Sequence, residues 1–107
     1  MPTPGARNST TGVTAEEPVP RTFALEQNYP NPFNPVTGIR FQIPEVSRVS
    51  LAVYDLLGRE VAGLVDEQKN AGRYEVMWDA SAFPTGMYVY RLIAGNSVAV
   101  RKLLLIK

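Results

Sequence analysis

Several residue types that carry chemistry are missing from this sequence. Its 107 residues include no cysteine and no histidine, which excludes disulfides, thiolate zinc sites, cysteine nucleophiles and a histidine-based catalytic triad. The longest apolar run covers residues 103–106 and is far too short to cross a bilayer. Eleven basic and ten acidic side chains leave a formal charge of +1, with no long block of either sign. That balance gives no electrostatic basis for binding nucleic acid or an anionic membrane.

The N-terminal part of the chain differs in composition from the rest. Residues 1–22 hold four prolines and five threonines but no aromatic residue, leucine or isoleucine, so they have little apolar surface to bury. We therefore expect a flexible Pro/Thr-rich linker over residues 1–22 and one globular domain over residues 23–107. The first residues lack the basic and apolar stretches of a signal peptide. If the protein is exported, its export signal is therefore expected upstream of this sequence.

Apolar residues alternate with polar ones through most of the domain, a pattern typical of strands with one buried face. The alternating or apolar runs are residues 39–43, 49–53, 60–65, 74–78, 87–94 and 97–106, of which 60–65 is the weakest. Asp55 to Gly58 suits a type I turn with a positive φ at the glycine, and Gly95-Asn96 suits a tight hairpin. The sequence predicts an all-β fold, an antiparallel β-sandwich of about seven strands with almost no helix.

A series of short motifs follows in a fixed order along this domain. They are Asn-Tyr-Pro-Asn-Pro-Phe-Asn-Pro at 28–35, Thr-Gly-Ile-Arg-Phe at 37–41, Val-Tyr-Asp-Leu-Leu-Gly-Arg-Glu-Val at 53–61, Ala-Gly-Arg-Tyr-Glu-Val at 71–76, Trp-Asp at 78–79, Pro-Thr-Gly-Met-Tyr-Val-Tyr-Arg-Leu at 84–92 and Arg-Lys-Leu-Leu-Leu-Ile-Lys at 101–107. Taken together they resemble the type A C-terminal sorting domain of the type IX (Por) secretion system. The resemblance implies an immunoglobulin-like sandwich, and only Gly38 and Phe83 depart from the residues common in relatives.

The resemblance also implies a function without catalysis. Such a domain directs a cargo protein across the outer membrane, where the type IX translocon recognises the folded domain and a sortase-like peptidase commonly removes it. The implied partners are the translocon, that peptidase and an N-terminally fused cargo. We expect a monomer without cofactor, nucleic acid or transmembrane segment, found in the periplasm in transit and then secreted or at the cell surface.

The predicted recognition surface draws on the opening motif, the strand near residue 88 and the C-terminal end. Its residues are Pro30, Asn31, Pro32, Gly86, Tyr88, Arg101, Lys102 and Lys107. The basic residues beside the last strand either protect a sheet edge from other chains or bind the translocon by strand addition, and sequence leaves both open. The opening motif is either a recognition loop or, as we prefer, a rigid start of the sandwich in which Tyr29 and Phe33 fill one end.

Two rival functions follow from other residues. Trp78 and the tyrosines could stack on sugars, as in a carbohydrate-binding or spacer module of a secreted glycosidase, although their alternation with polar residues favours core positions. A hook-capping assembly domain shares the Pro-Asn-Pro opening, but a last strand that runs to Lys107 is expected of a terminal address label.

The acidic residues do not suggest an enzyme. Asp55 and Asp79 lie beside a turn and a strand end, where short carboxylates usually accept hydrogen bonds from backbone N–H groups rather than transfer protons. We therefore predict no catalytic, cofactor-binding or metal-binding residue.

Overall fold

In the computed structural model, which describes residues 19–107, the polypeptide forms two antiparallel sheets packed face to face. The strands are β1 (Ala24–Leu25), β2 (Val36–Ile43), β3 (Ser47–Tyr54), β4 (Glu60–Lys69), β5 (Gly72–Asp79), β6 (Gly86–Ala94) and β7 (Ser97–Leu105). One sheet has the order β1-β2-β5 and the other the order β4-β3-β6-β7. This part of the chain contains no helix, which confirms the predicted all-β sandwich. Most of the predicted linker lies outside the described residues.

The core lies between the two sheets and is built from alternate side chains of the strands. Its most buried members are Ile39, Phe41, Ile43, Val49, Leu51, Val53, Tyr90, Leu92, Leu103 and Leu105, each at most 2 % exposed. The faces predicted from alternation on β2, β3 and β6 are therefore the buried ones. Burial of one such aliphatic side chain stabilises the fold by about 1.5–3 kcal/mol. Because Leu103 and Leu105 belong to this core, the C-terminal end is part of the folded body.

The turn between β3 and β4 has the predicted form. The Gly58 N–H donates to the Asp55 carbonyl at 3.0 Å, and Gly58 has a φ of 84°, a value that glycine adopts at little cost. The Asp55 carboxylate accepts hydrogen bonds from the N–H groups of Leu57 at 2.9 Å and Arg59 at 3.0 Å. Those bonds, that of Arg59 first, lower the pKa of Asp55. Asp55 therefore acts as a turn cap.

Strand β4 is longer than the predicted run of residues 60–65. It extends to Lys69 and pairs with β3 along its length, but the register shifts between Leu51 and Ala52 and again between Val53 and Tyr54. Each shift changes which side chains of β4 face the core. The strict alternation that identified the other strands is consequently lost in the sequence of β4.

Residues 26–33, which we call the strap, begin beside β2. The Glu26 N–H donates to the Arg40 carbonyl at 2.9 Å, and Tyr29 and Gly38 exchange two backbone hydrogen bonds of 2.9 and 2.8 Å. The strap thus prolongs β1 along the outer edge of β2. It then crosses to the other sheet, and in this way one segment covers parts of two sheet edges.

The hydroxyl of Tyr90 fastens the strap to the second sheet. The Tyr90 ring is fully buried, and its oxygen accepts a hydrogen bond from the Asn28 N–H at 2.8 Å and donates one to the Glu26 carbonyl at 2.7 Å. Burial raises the pKa of this hydroxyl. The Asn28 amide in turn donates to Thr37 Oγ1 at 3.0 Å and to the Pro30 carbonyl at 3.1 Å. The buried polar groups of the strap are thus satisfied by one another.

We predict that Tyr90→Phe destabilises the domain by about 1–3 kcal/mol. The substitution leaves the buried Asn28 N–H and the partly buried Glu26 carbonyl without their hydrogen-bond partner. Urea or thermal unfolding of the 107-residue chain measures this change. Tyr29→Phe is the matched control, since Tyr29 is 83 % exposed, and it should stay within about 0.5 kcal/mol of the wild type. Equal effects of the two substitutions would contradict the prediction.

Candidate recognition surface

The strap reaches the C-terminal strand and pairs with its outer edge. The Phe33 N–H donates to the Leu104 carbonyl, and the Ile106 N–H donates to the Phe33 carbonyl, each at 3.0 Å. These bonds form a parallel bridge between Phe33 and Leu105. The opening motif and the closing motif of the sequence therefore meet in space, and each holds the other in place.

Side chains of the strap extend this pairing along the last strand as far as Lys102. Asn31 Oδ1 accepts a hydrogen bond from the Leu104 N–H at 3.0 Å, and Gln27 Nε2 donates to the Lys102 carbonyl at 2.7 Å. Arg101 Nε donates to the Leu25 carbonyl at 2.6 Å. Together with Asn31, the predicted residues Pro32 and Lys102 line a shallow groove between the strap and the last strand. The chain itself thus occupies the edge of β7 from Lys102 to its end.

The aromatic residues of the opening motif have different environments. Phe33 is 2 % exposed and its ring centroid lies 5.7 Å from that of Trp78, so its predicted place at one end of the core is confirmed. The same prediction for Tyr29 is wrong, because Tyr29 is 83 % exposed while its neighbour Asn28 is 2 % exposed. In an extended segment adjacent side chains point to opposite sides, and the inward one here is the asparagine. The peptide bonds before Pro30, Pro32 and Pro35 are cis.

The last residue, Lys107, lies just beyond the C-terminal end of β7, against the loop before β6. Lys107 Nζ donates to the Ser81 carbonyl at 2.5 Å, and the Lys107 N–H donates to Thr85 Oγ1 at 3.0 Å. Asp79 accepts hydrogen bonds from the Ser81 hydroxyl and from the Ser81 N–H. These bonds, and to a smaller extent the Lys107 charge, lower the pKa of Asp79. Asp79 therefore organises the loop on which Lys107 rests.

Gly86 and Tyr88 belong to the framework beneath that loop. Gly86 pairs with Leu105 at the start of β6. Tyr88 is 5 % exposed, its ring meets that of Trp78 edge-on at 5.9 Å, and its hydroxyl donates to the Pro84 carbonyl at 2.6 Å. Burial raises the pKa of Tyr88. Trp78 itself is 4 % exposed, which confirms its predicted core position and leaves its faces closed to a sugar.

Positive charge collects on the strands beside the strap. β6 and β7 carry Arg91, Arg101 and Lys102 and no acidic residue. Arg91 stacks over the Tyr54 ring with 4.9 Å between its guanidinium carbon and the ring centroid, and it donates to the Tyr54 hydroxyl at 2.7 Å. This edge of the second sheet is accordingly suited to an acidic partner.

Sequence reasoning missed the contribution of Gln27, Asn28 and Thr37 to this surface. Their hydrogen bonds shape the strap, but each residue is a common surface type with no periodic neighbours. The signal that could have found Asn28 and Thr37 is their position on either side of a proline-rich run, where buried side-chain amides and hydroxyls often satisfy the backbone of an irregular segment.

Residues 19–107 contain no group of three or more histidine, cysteine, aspartate or glutamate side chains placed to hold a metal ion. Within the same residues, no helix has the length and apolar character needed to span a membrane.

We predict that Asn31→Ala speeds hydrogen exchange at the Leu104 amide about fivefold, because that N–H loses its acceptor, a loss of roughly 1 kcal/mol. The Ile106 amide, which donates to a backbone carbonyl, should change much less. Amide exchange followed by NMR tests this, with Asn34→Ala, at an exposed position just after the strap, as control. Faster exchange at Leu104 in both variants, or in neither, would count against the pairing.

We also predict that the loop under Lys107 weakens in acid. The folded-state pKa of Asp79 lies below its ordinary value of 3.8, so its stabilising contribution is present above that pH and is lost as the pH falls through the folded-state pKa. The difference in melting temperature between wild type and Asp79→Asn should therefore shrink below pH 3.8. Ser81→Ala should raise the pKa of Asp79 in an NMR titration. A stability difference that is constant with pH would refute this account.

Comparison with known proteins places these features in a wider context. No curated protein matches the chain. A crystal structure of dimeric latent PorU from Porphyromonas gingivalis is similar in fold, with a TM-score of 0.61 and 17 % identity over 79 % of this chain and 9 % of that one. A structure of PorZ from the same organism, described as a surface component of the type IX secretion system, gives a TM-score of 0.53 and 19 % identity over 79 % of this chain and 11 % of that one. The chain thus spans only a small part of either protein.

The sequence itself matches a family described as the secretion system C-terminal sorting domain. The match covers residues 27–107, which include nearly all of the strap and every strand from β2 onward. It confirms the resemblance noted in the sequence, and members of this family are in general non-catalytic sorting signals for export across the outer membrane. The chain belongs to the family of secretion system C-terminal sorting domains.

Proposed function

We propose that this domain is the folded export address of a larger cargo protein. It directs cargo fused at its N-terminus from the periplasm through the outer-membrane translocon of the type IX system, and a sortase-like peptidase then removes it. The family match over residues 27–107 supports the sorting role. The observation that carries the proposal of a folded address is the interlock of the strap with the C-terminal strand, through the hydrogen bonds of Phe33.

We infer from this interlock which surface the translocon recognises. Leu103 and Leu105 are fully buried, and Lys107 is hydrogen-bonded to the loop before β6. The terminal residues are therefore presented as one wall of a sandwich. The translocon recognises a surface that combines the exposed strap residues Pro30 to Pro32 with the basic side chains of β7, and that surface exists only in the folded domain.

The same structure supports a position for the proposed cleavage. Gln42 Nε2 donates to the Thr22 carbonyl at 3.0 Å and to Thr22 Oγ1 at 3.1 Å, so the chain is already attached to the first sheet at Thr22. Pro20, two residues earlier, is buried, so a cut before Pro20 leaves these contacts in place. The proposed linker over residues 1–22 provides such a position.

Export of a reporter tests the proposal. A signal peptide and a reporter enzyme are placed ahead of residues 1–107 in a bacterium with the type IX system, and external reporter activity is measured. We expect external activity, abolished in the same strain without the translocon. Leu103→Asp, which puts a charge into a fully buried position and unfolds the domain, should leave the reporter in the periplasm.

The matched control is Met77→Asp, which introduces the same side chain where the residue is 59 % exposed and should export normally. Deletion of residues 102–107 is less informative, because it removes two core leucines, Leu103 and Leu105, and so tests folding. Failure of the wild-type fusion to leave the cell, or normal export of Leu103→Asp, would overturn the proposal.

A further inference from the structure

The sheet edges of this domain are not equally protected against pairing with another strand. Three long strands within residues 19–107, β4, β5 and β7, have an outer side without a neighbouring strand. β4 carries three acidic residues and has two register shifts, and β5 exposes Arg73, Glu75 and Asp79. Charges and bulges of this kind discourage strand addition.

The edge of β7 lacks these features over its first half. Its ladder with β6 is regular for nine consecutive residue pairs. Val98 and Val100 are 58 % and 55 % exposed, so apolar β-branched side chains stand where the other edges have charges. A long, flat and apolar edge strand is the arrangement that most readily accepts another strand.

The backbone of β7 shows which hydrogen-bonding groups are available. In an antiparallel ladder, successive residues direct their N–H and C=O groups to opposite sides of the strand. The carbonyl of Lys102 and both backbone groups of Leu104 bond to the strap, hence to the side away from β6. By the same alternation the N–H and C=O groups of Val98 and Val100 and the N–H of Lys102 also point outward, and the described part of the chain offers them no partner.

The side chains around this open stretch indicate the chemistry of its occupant. On the outer face of the sheet, Val98 lies beside Ile93, Val100 beside Arg91, and Lys102 beside Val89. This surface is apolar at one end and basic toward Lys102, and no acidic residue lies on β6 or β7. Asp55 lies beside Val89 and Val100 on the same face, but its carboxylate is already paired with Arg59. A complementary strand therefore has apolar side chains near Val98 and an acidic side chain near Lys102.

We propose that residues 98–102 receive an extended segment of the secretion machinery as an added strand, with an acidic side chain beside Lys102. This proposal rests on the proposed sorting function and locates the contact within it. The strap sets the limit of the site, because Gln27 already occupies the Lys102 carbonyl and Phe33 and Asn31 occupy Leu104. The added strand pairs with the open half of β7 and ends at the strap.

Proline at position 100 tests the main-chain part of this inference. Val100→Pro removes an outward N–H but leaves the ladder with β6, as proline at an edge position does. In the reporter fusion, export should fall about fivefold, the loss expected for one hydrogen bond. Val100→Thr keeps the N–H and is the matched control, with export close to that of wild type. Melting temperatures of the two variants, measured on the 107-residue chain, verify that both are folded.

Charge reversal gives a second, independent measurement. Lys102→Glu changes an exposed side chain and should reduce export more than Lys102→Gln, because the acidic partner is then repelled. Normal export by both Val100→Pro and Lys102→Glu, with export still blocked by Leu103→Asp, would refute the strand-addition site and leave the sorting function standing. Retention of the wild-type fusion would instead remove the sorting function. Sedimentation that shows a wild-type dimer lost in Val100→Pro would assign the edge to a second copy and overturn the proposal.

Discussion

The backbone pairing between Phe33 and the last strand is the interaction on which the rest of this structure depends. Two hydrogen bonds of 3.0 Å join Phe33 to Leu104 and Ile106, and the Phe33 ring fills the core beside Trp78. The pairing joins the two ends of the domain across both sheets. A ligand that binds the second half of the last strand therefore also contacts the strap, and loss of the strap exposes backbone groups of that half to water or to another chain.

Much of the sandwich could be predicted because each strand buries one face. Alternation located β2, β3, β5, β6 and β7. Tyr88, one of the predicted recognition residues, is only 5 % exposed and shares the buried face of β6 with Tyr90 and Leu92. β4 was only partly predicted, since two register shifts interrupt the alternation that a sequence can show.

The strap could not be predicted from the sequence, for a physical reason. Alternation reports only whether neighbouring side chains share an environment, whereas the bond between Asn31 and Leu104 joins residues 73 positions apart. The proline-rich run has no period, so the sequence pattern does not indicate that Tyr29 is exposed and Phe33 buried. The resemblance to sorting domains indicated that the opening and closing motifs matter, but their contact is a property of the folded chain.

The last strand also bears on a choice that the sequence left open, between an edge protected from other chains and an edge offered to them. Its second half is protected, because the strap satisfies its backbone and Leu103 and Leu105 anchor it in the core. Its first half has exposed valines and outward backbone groups. Lys102 lies at the junction, with its carbonyl bound by the strap and its side chain in solvent. The proposals thus assign protection and recognition to different residues of one strand, and the length of the strap sets the boundary between them.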